Sequence, residues 1–206
     1  MYPEKEIGEF LHFLKENYPF LVGIAFFGAY YGLCRSDILG LKWKAIDYER
    51  RFIRIYHTIV KVKRVEANDL TKTTASRREL NLFPSAEKCL ASIMARQEEN
   101  KSFFGNTYKN KAGYVIVNED GSPYNPDYIS KIFHEATTQF GRPEVTLHKL
   151  RHSCASMLIE KGWDGKILRI FLRIFRSMPE PDTSGKKRSM SYFMNPSTVI
   201  TFSLSY

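Results

Sequence analysis

The sequence predicts a mainly α-helical domain with one small antiparallel β-sheet (α+β), and three observations carry that prediction. Ile7, Phe10, Leu11 and Leu14 recur at helical spacing behind the start signal Pro3-Glu4-Lys5-Glu6. Between Phe52 and Leu82 the pattern changes to β-branched and aromatic residues in short runs, which read as antiparallel strands. Downstream, Asn125-Pro126 and Thr146 each stand where a helix should begin.

In chain order, the first helix is amphipathic, with acids and proline in its first turn. Pro19 opens a second helix that is apolar on every side and stops near Gly32, a C-terminal cap. Its apolar run, Phe20 to Leu33, is 14 residues long, too short to span a bilayer, and reads as a buried core helix. Ser36 and Asp37 start a third, short helix that leads to Trp43. Strands follow through Phe52–Tyr56 and Ile59–Val65, then Glu79–Leu82, with Lys72-Thr73-Thr74 in the loop before the last of them. Ser85 is expected to cap a helix running to about Asn100, and residues 101–113 form a polar loop. Tyr114-Val115-Ile116-Val117 reads as a short strand ending in the turn Asn118-Glu119-Asp120-Gly121. The helix opened by Asn125-Pro126 runs to about Phe140. The one capped by Thr146 carries His148 and Arg151 and ends near Gly162.

Composition narrows the partner class. Hydrophobic residues at 43% and charged residues at 26% are ordinary for a globular domain. Lys and Arg total 31 against 22 Asp and Glu, a formal charge of +9, which points to a polyanion and first to nucleic acid. The cysteines are three, Cys34, Cys89 and Cys154, without a CxxC pair. That argues for a reduced, cytoplasmic chain with neither a disulfide framework nor a zinc site. No signal peptide is expected, since acidic residues begin at Glu4.

The chemistry concentrates in three segments. In Leu147-His148-Lys149-Leu150-Arg151-His152, positions i and i+3 share a helix face, so His148 and Arg151 can grip one phosphate together. The guanidinium offers a planar fork of donors that never loses its charge. The second segment is Asp69-Leu70-Thr71-Lys72-Thr73-Thr74, a lysine in the loop before the last strand. The third is Tyr30-Tyr31-Gly32-Leu33-Cys34-Arg35-Ser36-Asp37.

Together, and in this order, these segments resemble the tyrosine recombinases, the phage and transposon integrases. The third segment is similar to the family's first arginine box, Gly-Leu-Arg-x-Ser-Glu, with Cys34 where that arginine stands and Asp37 for the glutamate. The segment around His148 is similar to the second box, His-x-x-Arg-His followed by small residues. The resemblance implies a tyrosine recombinase catalytic-domain fold and a reaction in which a tyrosine attacks a DNA phosphodiester. The energy is stored as a 3′-phosphotyrosyl bond, without metal or other cofactor. It further implies that Lys72, His148 and Arg151 are catalytic, Lys72 protonating the leaving 5′ oxygen. Arg35, Arg77 and Arg78 are candidates for contacts to DNA phosphates.

Two departures bear on activity. A neutral thiol at Cys34 cannot donate a charged fork, and losing one preorganised donor costs about 10²–10³ in rate. Arg35, one position on, is turned about 100° around the helix and does not replace it. Counting from Arg151, the family's Leu-Gly-His histidine would fall near Ile174 and its nucleophilic tyrosine near Ser184; Tyr192 and Tyr206 are the downstream tyrosines.

Residues 1–164 thus read as a partial integrase-like catalytic domain, and residues 165–206 as a divergent basic tail. The tail carries seven Lys and Arg against Glu180 and Asp182. Its abrupt start suggests a change of reading frame near codon 165. The expected function is site-specific recombination and integration of a mobile element on double-stranded DNA, catalytically impaired in this chain. The alternative is a non-catalytic DNA-binding remnant or a pseudogene product. The chain alone is expected to be monomeric, whereas the family assembles as a tetramer on DNA.

Overall fold

The apolar stripe of the first helix is its buried face: Ile7, Phe10, Leu11 and Leu14 all turn inward from α1 (Glu4–Asn17). A computed structural model describes residues 4–61, 65–68, 78–160 and 162. Lys72, Arg77 and the tail from residue 165 lie outside the described residues, as does the loop that carries Lys72.

A single 3-10 turn at Pro19–Leu21 leads into α2 (Val22–Tyr31), where every residue from Gly23 to Tyr31 is buried. A helix that is apolar all round belongs at the centre of a fold. Around α2 stand α1, α3 (Arg35–Leu39), α4 (Pro84–Phe104) and α6 (Leu147–Glu160). Gly32 closes α2 in the left-handed region at φ 59°, a backbone state that glycine takes without cost. The Tyr31 hydroxyl donates to Asn81 O (3.0 Å) and accepts from Phe83 N (3.2 Å), tying α2 to the sheet and to the start of α4.

Helix α3 stops at Gly40, short of the expected Trp43, and Trp43–Ala45 form a separate 3-10 turn. The reason is close approach: a Cβ at Gly40 would lie 2.4 Å from His57 O and 2.6 Å from Thr58 Cα. Here α3 meets the strand that begins at Thr58.

Three strands, β1 (Ile46–Asp47), β2 (Phe52–Ile55) and β5 (Arg78–Asn81), form an antiparallel sheet in the order β1-β2-β5. A separate antiparallel pair joins β3 (Thr58–Lys61) to β4 (Val65–Asn68), with Ile59 opposite Ala67.

Three expectations need correction. Helix α4 is not capped by Ser85: Pro84 is its first residue, after an extended Phe83 whose side chain makes no cap. Proline suits that position because its missing N–H would have no partner there. The same helix runs past Asn100 to Phe104, so the start of the expected loop is helical. Tyr114–Val117 does not build a regular strand; it makes isolated bridges, Lys42 with Tyr114 and Val117 with Pro123. Val115 N donates to Leu41 O (2.8 Å), and side chains take other backbone groups. Asn110 accepts from Tyr114 N (2.8 Å), and Gln97 Nε2 donates to Tyr114 O (3.1 Å) and Val115 O (2.7 Å).

The last two helices follow expectation. Asn125 accepts from Asp127 N (2.9 Å) at the start of α5 (Pro126–Gln139). Thr146 Oγ1 accepts from Lys149 N (3.2 Å) at the start of α6. The three cysteines are free thiols. No described helix is long and apolar enough to cross a membrane.

Candidate functional site

The inner face of α6 presents Leu147, Leu150, Cys154 and Leu158 to the core, with α2 as its principal neighbour. The Cys154 thiol, pushed up to about 12 by burial, stays protonated and donates to Tyr30 O at 3.5 Å. With that face fixed, the helical repeat leaves His148 and Arg151 on the adjoining face, three residues apart. Both line a cleft of about 540 Å3.

The facing wall comes from the turn after α2. Leu33 N donates back to Phe27 O (3.2 Å), and Cys34 follows in extended conformation as the residue before α3. Its carbonyl accepts from Ile38 N (3.0 Å), and its Sγ lies 3.0 Å from Ser36 Oγ. Cys34, Arg35 and Ser36 line the same cleft as His148 and Arg151. Burial, and secondarily the nearby Asp37 carboxylate, raise the Cys34 thiol above its usual value, so the wall is neutral there.

Arg35 does not project freely from this wall. Its Nη1 donates to Pro126 O (2.9 Å) and to Ser130 Oγ, and lies 3.9 Å from Asp127 Oδ1. The guanidinium therefore staples α3 to the first turns of α5. Helix α5 also contributes Ser130 and His134 to the cleft, and Thr146 stands at the entry of α6. Ser130 and His134 are not anticipated from the sequence, and Thr146 is expected only as the cap of α6. Their signal is faint: Ser130 and His134 are a polar i, i+4 pair beside the buried Ile129, Phe133 and Ala136.

His148 and His152 meet on the outer side of α6, Nε2 to Nε2 at 2.9 Å. Burial first, then the charges of His148 and Arg151, hold His152 below the ordinary histidine value. Of the expected residues, the structure thus brings Cys34, Arg35, His148 and Arg151 to one cleft. Lys72 and Arg77 fall outside the described residues, and Arg78 opens β5 opposite Ile55.

A cleft that combines a fixed arginine, a histidine one turn away and hydroxyl donors can hold a tetrahedral oxyanion. Residues 3–172 match the phage integrase family. A tyrosine recombinase XerC-like protein of Caldanaerobacter subterraneus subsp. tengcongensis is 29% identical over 142 residues, covering 64% of this chain and 36% of that protein. The chain therefore spans little more than a third of that relative. The Tn1549 transposon integrase, solved with circular intermediate DNA, superposes with a TM-score of 0.70 at 18% identity, over 84% of this chain and 57% of the other. For the XerA recombinase the TM-score is 0.60 at 17% identity, over 84% and 53%. For the lambda integrase catalytic core it is 0.54 at 17%, over 86% and 93%. With the match running from the start of α1 to beyond α6, and the fold shared with these solved recombinases, this chain belongs to the phage integrase family.

Proposed function

We propose that this chain engages the sugar–phosphate backbone of double-stranded DNA through the cleft between α3, α5 and α6, as part of site-specific recombination and integration of a mobile element. The observation that carries this reading is the convergence of His148 and Arg151 with the Cys34 turn on one cleft. In this reading Arg151 clamps a non-bridging phosphate oxygen, and His148 donates a hydrogen bond to the same group. Lys72 delivers a proton to the leaving 5′ oxygen, and Arg77 and Arg78 bind further phosphates. Arg35 acts through the architecture, holding α3 against α5.

The same cleft favours an impaired catalyst. Cys34 supplies neither charge nor a fork of donors, and its thiol is held neutral by burial. The second reading is therefore a DNA-binding chain without strand cleavage.

A nicked duplex that traps covalent protein–DNA adducts separates the two. No adduct is expected from this chain, nor from Cys34→Arg alone, because no tyrosine stands at the expected position near Ser184. An adduct on a denaturing gel from this chain contradicts the impairment, and one from Cys34→Arg alone contradicts the lack of a nucleophile. Sequencing the gene tests the proposed frame change: an alternative frame after codon 164 should encode a Leu-Gly-His box and a tyrosine. Sedimentation of the free chain should give a monomer.

A further inference from the structure

We propose that His148 and His152 form a two-imidazole site for a divalent transition-metal ion that prefers right-angle nitrogen ligands, Ni(II) or Cu(II). The residues stand one turn apart on α6, with their Nε2 atoms 2.9 Å apart, ring centroids 4.5 Å apart and ring planes at 84°. Two imidazoles held about 2.0–2.1 Å from one ion at a right angle would set their nitrogens about 2.9 Å apart. The same construction sets the ring centres about 4.5 Å apart. A tetrahedral zinc site would need the nitrogens about 0.4 Å further apart. The spacing thus favours tetragonal ions over zinc.

Without metal, the two rings share a hydrogen bond: one histidine carries its proton on Nε2 and the other accepts. Moving that proton to Nδ1 frees the second lone pair, and the ion replaces the shared hydrogen with no net proton released. His148 is exposed, so the ion can enter from solvent. Among the described residues no third His, Cys, Asp or Glu joins the pair. The charge of Arg151 opposes the ion and limits its affinity.

The site also has a consequence for the cleft, which rests on the reading proposed above. An ion on Nε2 of His148 removes that atom from phosphate binding. Nickel or copper would therefore inhibit DNA binding rather than assist it.

The test is calorimetric titration of NiCl2 into the untagged full chain after chelator treatment and dialysis. One ion per chain is expected, with His148→Ala and His152→Ala each weakening binding by about tenfold or more. His12→Ala and His134→Ala should leave it unchanged. His12 is the informative control, because its Nε2 lies 3.5 Å from Glu16 Oε1 one turn away on α1. Absence of saturable binding, or loss on His12→Ala alone, would overturn the site. Circular dichroism of the variants separates loss of a ligand from loss of fold. Duplex binding with and without NiCl2 distinguishes the two proposals. Metal bound with DNA affinity unchanged keeps the site and removes His148 from the phosphate. No metal bound while Arg151→Gln still loses DNA removes the site and keeps the phosphate reading.

Discussion

The cleft has two walls of different electrostatic character. On one, α6 carries His148 and Arg151 on a helix whose inner residues are locked against α2. On the other, the turn from Gly32 to Ser36 places Cys34 with equal definition: a left-handed glycine before it, a carbonyl bonded into α3, and a sulfur beside Ser36 Oγ. Both walls are held in place, but residue 34 itself carries no charge, and the neighbouring Arg35 is engaged with α5. The left-handed glycine, the Cys34 carbonyl and the Arg35 staple to α5 do not depend on which side chain stands at residue 34. Fold similarity alone does not report activity.

Substitutions that attack the seat of each wall should break this contrast most. Leu150 is fully buried under the α6 wall, and Leu150→Ala should cost about 2–5 kcal/mol of stability through the cavity it leaves. Chemical denaturation measures this; a loss below about 1 kcal/mol would mean that α6 is not anchored as described. On the α3 side, Gly40→Ala forces a methyl group against His57 O and should cost about 1–3 kcal/mol by overpacking. An unchanged denaturation midpoint would show that α3 and β3 separate easily.

A smaller effect sharpens the electrostatics of the α6 wall. The cationic form of His152 is disfavoured in the folded chain, so its folded value lies below its unfolded one. Its contribution to stability is then complete above the unfolded value, about 6.5, and is lost as pH falls toward the folded value. In metal-free buffer, NMR titration should place the His152 midpoint below about 6.5, and Arg151→Gln should raise it. A midpoint that ignores Arg151→Gln would place the guanidinium elsewhere.

Much of this architecture is legible in the residues. The stripe of α1, the uniformly apolar α2 and the caps at Gly32, Asn125 and Thr146 are local signals, and each appears where local physics puts it. Tyr114–Val117 misleads because its backbone is shared between isolated bridges and the side chains of Gln97 and Asn110, with no regular ladder. The end of α4 misleads because residues 101–104, Lys-Ser-Phe-Phe, extend the helix without burying a side chain in the core. At the cleft, His148, Arg151 and Cys34 announce themselves by motif. Ser130 and His134 do not, since only the packing of α5 brings them beside residues far away in sequence. Arg35 is legible as a cation, but its stapling of α3 to α5 is visible only in three dimensions.

The claim that the α6 wall holds a DNA phosphate is tested most directly by the salt dependence of duplex binding, comparing the chain with Arg151→Gln. Removing one phosphate-binding cation should flatten the slope of log affinity against log salt by about 1 and weaken binding on all sequences alike. Equal affinity and equal slope for the two proteins would contradict the claim.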